Sequence, residues 1–167
     1  MKNIFLIGFM GSGKSNIERV LSKKLGVPQL EIDEQIETEQ DMPINDIFAK
    51  YGEEHFRDIE TELLEHLQTQ EGVVVSCGGG AVLREKNREI MKQSGCIVLL
   101  TAKPETILAR VKNSTNRPVL NGHMNVEYIT ELMEKRRACY EAAADITVAT
   151  DGKSSEAIAE EILEKIR

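Results

Sequence analysis

The stretch Gly8-Phe9-Met10-Gly11-Ser12-Gly13-Lys14-Ser15 has the spacing G-x-x-x-x-G-K-S, that of a phosphate-binding loop. It follows the apolar run Ile4-Phe5-Leu6-Ile7 and leads into a helical pattern of Ile17, Val20, Leu21 and Leu25 that Gly26 stops. A phosphate-binding loop requires this strand–loop–helix context. Glycines let backbone N–H groups close around a polyphosphate, and the following helix turns its positive end toward the same anion. Lys14 can reach the β- and γ-phosphates, and the Ser15 hydroxyl can ligate Mg²⁺.

The 167 residues have the length of one domain, 1–167, with room for a real core. The net charge of −7 argues against nucleic acid or an anionic membrane as partner. An acidic chain can still bind an anion where a few arginines converge. No apolar run approaches a membrane span. Met1-Lys2-Asn3 runs straight into the first strand, which leaves no room for a secretory signal or transit peptide. A cytoplasmic monomer is expected. Cys77, Cys96 and Cys139 are odd in number, lack metal-ligand spacing and read as reduced, buried, small apolar residues. His55, His66 and His123 show no ligand spacing.

Strands are expected over Ile4–Ile7, Val27–Ile32, Val73–Val75, Cys96–Leu100 and Ile146–Val148. Between them the periodicity predicts helices over Ser15–Leu25, Glu34–Glu39, Ile44–Tyr51, Glu53–Gln70, Arg84–Lys92, Glu105–Val111, Val126–Ala143 and Ser154–Ile166. Asn113 to Asn125 is rich in Asn, Ser, Thr, Gly and Pro and reads as a mobile loop. Strands alternating with helices imply a parallel sheet covered on both faces, an α/β/α arrangement. Ligands of such sheets gather at the carboxyl ends of the strands. Gly8, Asp33 and Gly78 all follow strands and should share that edge.

Four further features can carry chemistry. Glu31-x-Asp33 follows the second strand; Asp33 can accept a proton from a substrate hydroxyl, support Mg²⁺ through water, or simply cap the next helix. Arg57 and Glu60 stand three apart on one helical face, either as a site pair or as an ordinary surface ion pair. Gly78-Gly79-Gly80 demands unusual backbone angles or close approach of a ligand. Ser76, just before it, stands where many phosphate-loop enzymes place a magnesium-binding Asp, which shifts that support to Glu31 or Asp33. The last feature is Arg110, then Asn116-Arg117-Pro118, then Arg136-Arg137. It reads as a solvated basic cluster, or as the arginines with which a kinase closes over a transferring phosphate.

Taken together, GFMGSGKS, Glu31-x-Asp33, GEEHFRDIE, the triple glycine, NRPVL and MEKRRACY resemble the shikimate kinase family over essentially the whole chain. The resemblance implies a P-loop NTPase fold of the nucleoside-monophosphate-kinase type. This fold has a five-stranded parallel sheet, substrate-binding helices over 33–61 and a mobile lid over 112–125. It implies a phosphotransferase that uses ATP and Mg²⁺ to phosphorylate the 3-hydroxyl of shikimate, on the route to chorismate and the aromatic amino acids. By resemblance, Lys14, Asp33 and Arg117 are catalytic, with Asp33 the candidate base. Asp33, Arg57, Gly79 and Arg136 hold shikimate, and Glu60 orients Arg57. Gly11, Ser12, Gly13, Lys14, Ser15, Asn16, Arg110, Arg117 and Lys153 hold the nucleotide, with Ser15 the metal ligand. The chemistry is self-consistent. Two arginines suit a carboxylate, and an Asp suits vicinal hydroxyls.

Three positions depart from the family pattern. Glu31 replaces the first acid of D-x-D, Asn16 replaces a Thr, and Glu18 replaces a Gly. Glu18 is expected to weaken nucleotide binding unless it points to solvent. A gluconokinase-like enzyme shares the phosphate loop but would not be expected to combine Phe56-Arg57 with the triple glycine. An adenylate-kinase-like enzyme would need a nucleotide-sized acceptor pocket. A degenerate, non-catalytic nucleotide-binding protein would have only the three departures in its favour.

Overall fold

The computed structural model describes residues 2–111 and 125–166. In chain order, Asn3–Ile7 forms β1, Lys14–Leu25 α1, Gln29–Glu31 β2, Ile32–Gln40 α2, Ile44–Tyr51 α3, Glu53–Leu67 α4 and Val74–Ser76 β3. A 3₁₀ turn over Ala81–Leu83 leads to α5 (Glu85–Ser94), β4 (Gly95–Thr101), α6 (Pro104–Val111), α7 (Val126–Ala143), β5 (Ile146–Ala149) and α8 (Ser155–Ile166). The five strands form one sheet in the order β2-β3-β1-β4-β5. Every neighbouring pair is parallel.

β1 is central and wholly buried, so its apolar residues run without alternation. Its side chains nevertheless divide by parity. Phe5 and Ile7 join Val75, Ile97 and Leu99 under α4, α5 and α7, against Leu64, Leu67, Met91 and Ala143. Ile4 and Leu6 face the other way, with Val74, Val98 and Val148, onto Ile17 and Leu21 of α1 and Ile158 and Ile162 of α8. Each such side chain contributes roughly 1.5–3 kcal/mol of burial. This is the α/β/α arrangement expected.

The departures from expectation are local. β2 is shorter, because the chain turns helical at Ile32, so Asp33 lies in the first turn of α2 rather than capping it. The cap position is Glu31, which makes no side-chain cap bond. Asn125 caps α7: its side chain accepts a hydrogen bond from Tyr128 N–H. Of the three free cysteines only Cys77 is buried; Cys96 and Cys139 are partly exposed. No helix among the described residues is long and apolar enough to cross a membrane.

Candidate active site

The carboxyl ends of β1, β2 and β3 open into a cleft of about 640 Å³. Its floor is the phosphate-binding loop. Gly11 and Gly13 take φ of 80° and 97°, backbone angles that glycine adopts without strain. Lys14 lies back across the loop and donates to the Gly8 carbonyl at 2.7 Å and to Phe9 at 3.2 Å. Ser15 Oγ donates to Glu31 Oε1 at 2.6 Å, so the hydroxyl at the start of α1 and the acid at the end of β2 form one unit.

The opposite wall brings three charged side chains against the triple glycine. A Cβ on Gly78 would sit 2.8 Å from Asp33 Oδ1, one on Gly79 3.1 Å from Arg136 Nη1, and one on Gly80 would collide with the Arg57 guanidinium. None of the three glycines has positive φ. The run therefore exists for close approach, and what approaches is protein.

Arg57 and Arg136 are 8% and 6% exposed, which is unusual for arginine. Arg57 rests 5.1 Å from the Phe56 ring centre, and Arg136 5.8 Å from that of Phe9. Arg57 Nη1 donates to Glu60 Oε1 at 3.1 Å. Glu60 is fully buried, and burial pushes its pKa up to about 7 even though Arg57 pulls it down. Arg57 and Glu60 are thus no surface pair. Arg57 Nε, Arg136 Nη1, Glu60 Oε2 and Asp33 Oδ1 are buried without a hydrogen-bond partner among the described residues. Orphaned polar atoms on a cleft wall mark where a polar ligand completes the bonding. Burial also raises the Asp33 pKa, with Lys14 and Arg57 opposing it.

Arg136 has a sequence signal of its own, because it lies in the buried stripe Ile129, Arg136, Tyr140 and Ala143 of α7. Tyr140, one turn beyond it, was not among the expected site residues, although its hydroxyl donates to the Gly79 carbonyl at 2.6 Å.

Glu18 neither points to solvent nor adds charge as expected. It is 4% exposed. Burial, then Glu31 and Glu34, push its pKa up to about 8, so it is largely uncharged at neutral pH. Asn16 and Arg110 line the cleft. Arg110 donates to the Gly11 carbonyl at 2.9 Å. Lys153 does not line the cleft; its amine lies 2.9 Å from Glu161 Oε1. Arg117, with residues 112–124 of the lid expected over 112–125, lies outside the described residues.

The family model for shikimate kinase matches residues 10–167. The chain belongs to the shikimate kinase family. The shikimate kinase of Persephonella marina is 43% identical over 167 residues, covering 100% of both chains. That of Dehalococcoides mccartyi is 42% identical over 165 residues, covering 99% of this chain and 93% of the relative. A solved shikimate kinase from Acinetobacter baumannii, in complex with shikimate, superposes with a TM-score of 0.95 at 35% identity, over 99% of this chain and 93% of that one. A gluconokinase from Sinorhizobium meliloti superposes with a TM-score of 0.61 at 23% identity, over 98% of this chain and 90% of that one, a likeness of fold alone. Shikimate kinases thus match this chain over its full length in sequence as well as in fold.

Proposed function

We propose that this chain transfers the γ-phosphoryl group of ATP to the 3-hydroxyl of shikimate. The observation that carries the reading is the pair of buried guanidinium groups, Arg57 and Arg136, each with an N–H that has no hydrogen-bond partner among the described residues, facing a buried Asp33 oxygen that also has none, across the triple glycine. Two fixed forks suit one carboxylate, and a lone carboxylate oxygen suits the hydroxyls of the same small ring.

In this account Arg57, Arg136 and the Gly79 N–H bind the substrate carboxylate. Asp33 accepts a hydrogen bond from the hydroxyl to be phosphorylated and takes its proton as the phosphoryl group arrives. Its raised pKa brings it nearer the range where a base works at neutral pH. Lys14 leaves the Gly8 and Phe9 carbonyls for the phosphates. The backbone of Gly11 to Ser15 cradles them, and Asn16 hydrogen-bonds the α-phosphate. Arg110 lies on the nucleotide side; Lys153 joins it only by leaving Glu161. Arg117 adds charge against the transferring group.

The Ser15 hydroxyl and the Glu31 carboxylate are hard oxygen donors already in contact, and they fit Mg²⁺. Among the described residues no cluster of three or more His, Cys, Asp or Glu could hold a metal. Ser15 would hold the ion, with Glu31 as its acidic support. When bound, Mg²⁺ offsets the charge of the phosphate oxygens.

Steady-state ADP release tests the reading. Release with ATP and shikimate, and little with ATP alone or with gluconate, is expected. Turnover of gluconate in preference to shikimate, or none with either, would contradict it.

A further inference from the structure

We propose that Tyr140 is a positioning residue for the acceptor side of the cleft. Its hydroxyl locks the middle peptide of the triple glycine and sets Arg136 against it. The proposal rests on the function proposed above.

The carbonyls of the three glycines are held in different ways. Gly78 O accepts from Ala81 N–H and Gly80 O from Leu83 N–H, both at 3.1 Å, within the turn itself. Gly79 O accepts from Tyr140 Oη at 2.6 Å, a contact 61 residues away in sequence. Gly79 is therefore the one of the three whose carbonyl is held by a side chain. Among the described residues, neither the Gly79 nor the Gly80 N–H donates to a protein acceptor. Two glycines in succession have no Cβ to resist rotation of the peptide between them. The Tyr140 hydroxyl supplies the restraint that sequence composition leaves out.

The same hydroxyl lies within the electrostatic reach of the substrate-binding arginine. Burial raises the Tyr140 pKa, and the Arg136 charge beside it pulls the other way. Arg136 Nη1 lies 3.1 Å from where a Gly79 Cβ would stand. Tyr140 is 7% exposed, and its ring belongs to the core under β4, so the hydroxyl is placed by packing. One fixed oxygen thus holds the Gly79 peptide against which Arg136 packs, and both face the substrate carboxylate in the proposed reaction.

Tyr140→Phe keeps the ring and removes only the hydroxyl. Two measurements test it. In the unliganded protein, ¹⁵N relaxation should show Gly79 and Gly80 amides becoming mobile while Gly26 and Gly95 stay as in the wild type. In steady-state kinetics the KM for shikimate should rise about fivefold or more, as expected for a lost buried hydrogen bond, with the KM for ATP within about twofold of wild type. Unchanged glycine relaxation overturns the proposal, as does an equal loss for both substrates, which marks a merely structural tyrosine. If the wild type does not turn over shikimate at all, the proposed function fails, and the relaxation measurement still decides the role of Tyr140.

Discussion

Gly80 lies directly beneath the guanidinium of Arg57, so close that a Cβ would collide with it. The atoms displaced would be the far end of a flexible side chain, not backbone. Gly80→Ala should therefore fold and push Arg57 away from Glu60 and from the cleft. Losing one charge-assisted hydrogen bond weakens binding by about 1.5–3 kcal/mol. The KM for shikimate should rise roughly ten- to hundredfold, with little change for ATP. Equal KM effects on both substrates would show that Arg57 serves the nucleotide or only the fold.

Lys14→Met should abolish turnover without unfolding the chain. Its amine is held over the loop by two carbonyls, and the motif directs it to the β- and γ-phosphates. Removing one preorganised charge from a transferring phosphoryl group should lower kcat by about 10²–10³ or more. Circular dichroism and single-turnover kinetics on the same preparation check this.

Asp33→Asn should keep ATP binding and lose phosphoryl transfer. The amide is nearly the same size but is a poor proton acceptor. Calorimetry with ADP and rapid-quench kinetics with both substrates separate the two effects. Wild-type kcat in this variant would leave Asp33 as a helix-α2 residue only.

Glu18 makes stability depend on pH. In the folded chain its proton is held up to about pH 8, whereas an unfolded glutamate releases it near ~4.3. Between these values the folded state binds more protons, so the Glu18 contribution falls as pH rises and levels off above about pH 8. Glu18→Gln cannot ionise. Its Tm relative to wild type should change little at low pH, rise from about pH 5 to pH 8 and then level off, at roughly 2–4 °C per kcal/mol. Parallel Tm curves for the two proteins would mean that Glu18 is charged in the folded state.

Much of the fold was legible because its punctuation is local. Pro43, Gly52 and Gly95 bound elements where the structure also ends them, and α3 and α7 have the limits that periodicity predicts. Ile32 was misplaced for a physical reason: a fully buried residue between a strand and a helix satisfies either period. In the site, Arg57 and Glu60 were visible as a pair because a helix fixes their spacing. Their burial, and the glycine beneath Arg57, depend on β3 lying beside β1, which no local pattern states. Glu18 was misread because charge was judged without its surroundings. Tyr140 was passed over because its partner is a backbone carbonyl brought near only by the sheet.

The central claim is that the cleft places one particular hydroxyl of shikimate at the phosphate-binding loop. Phosphorus–proton coupling in the nuclear magnetic resonance spectrum of the product tests it most directly. The account predicts a single phosphate ester on the 3-hydroxyl, formed only when ATP and shikimate are both present. Phosphate on another hydroxyl, a mixture of esters, or no organic phosphate at all would contradict it.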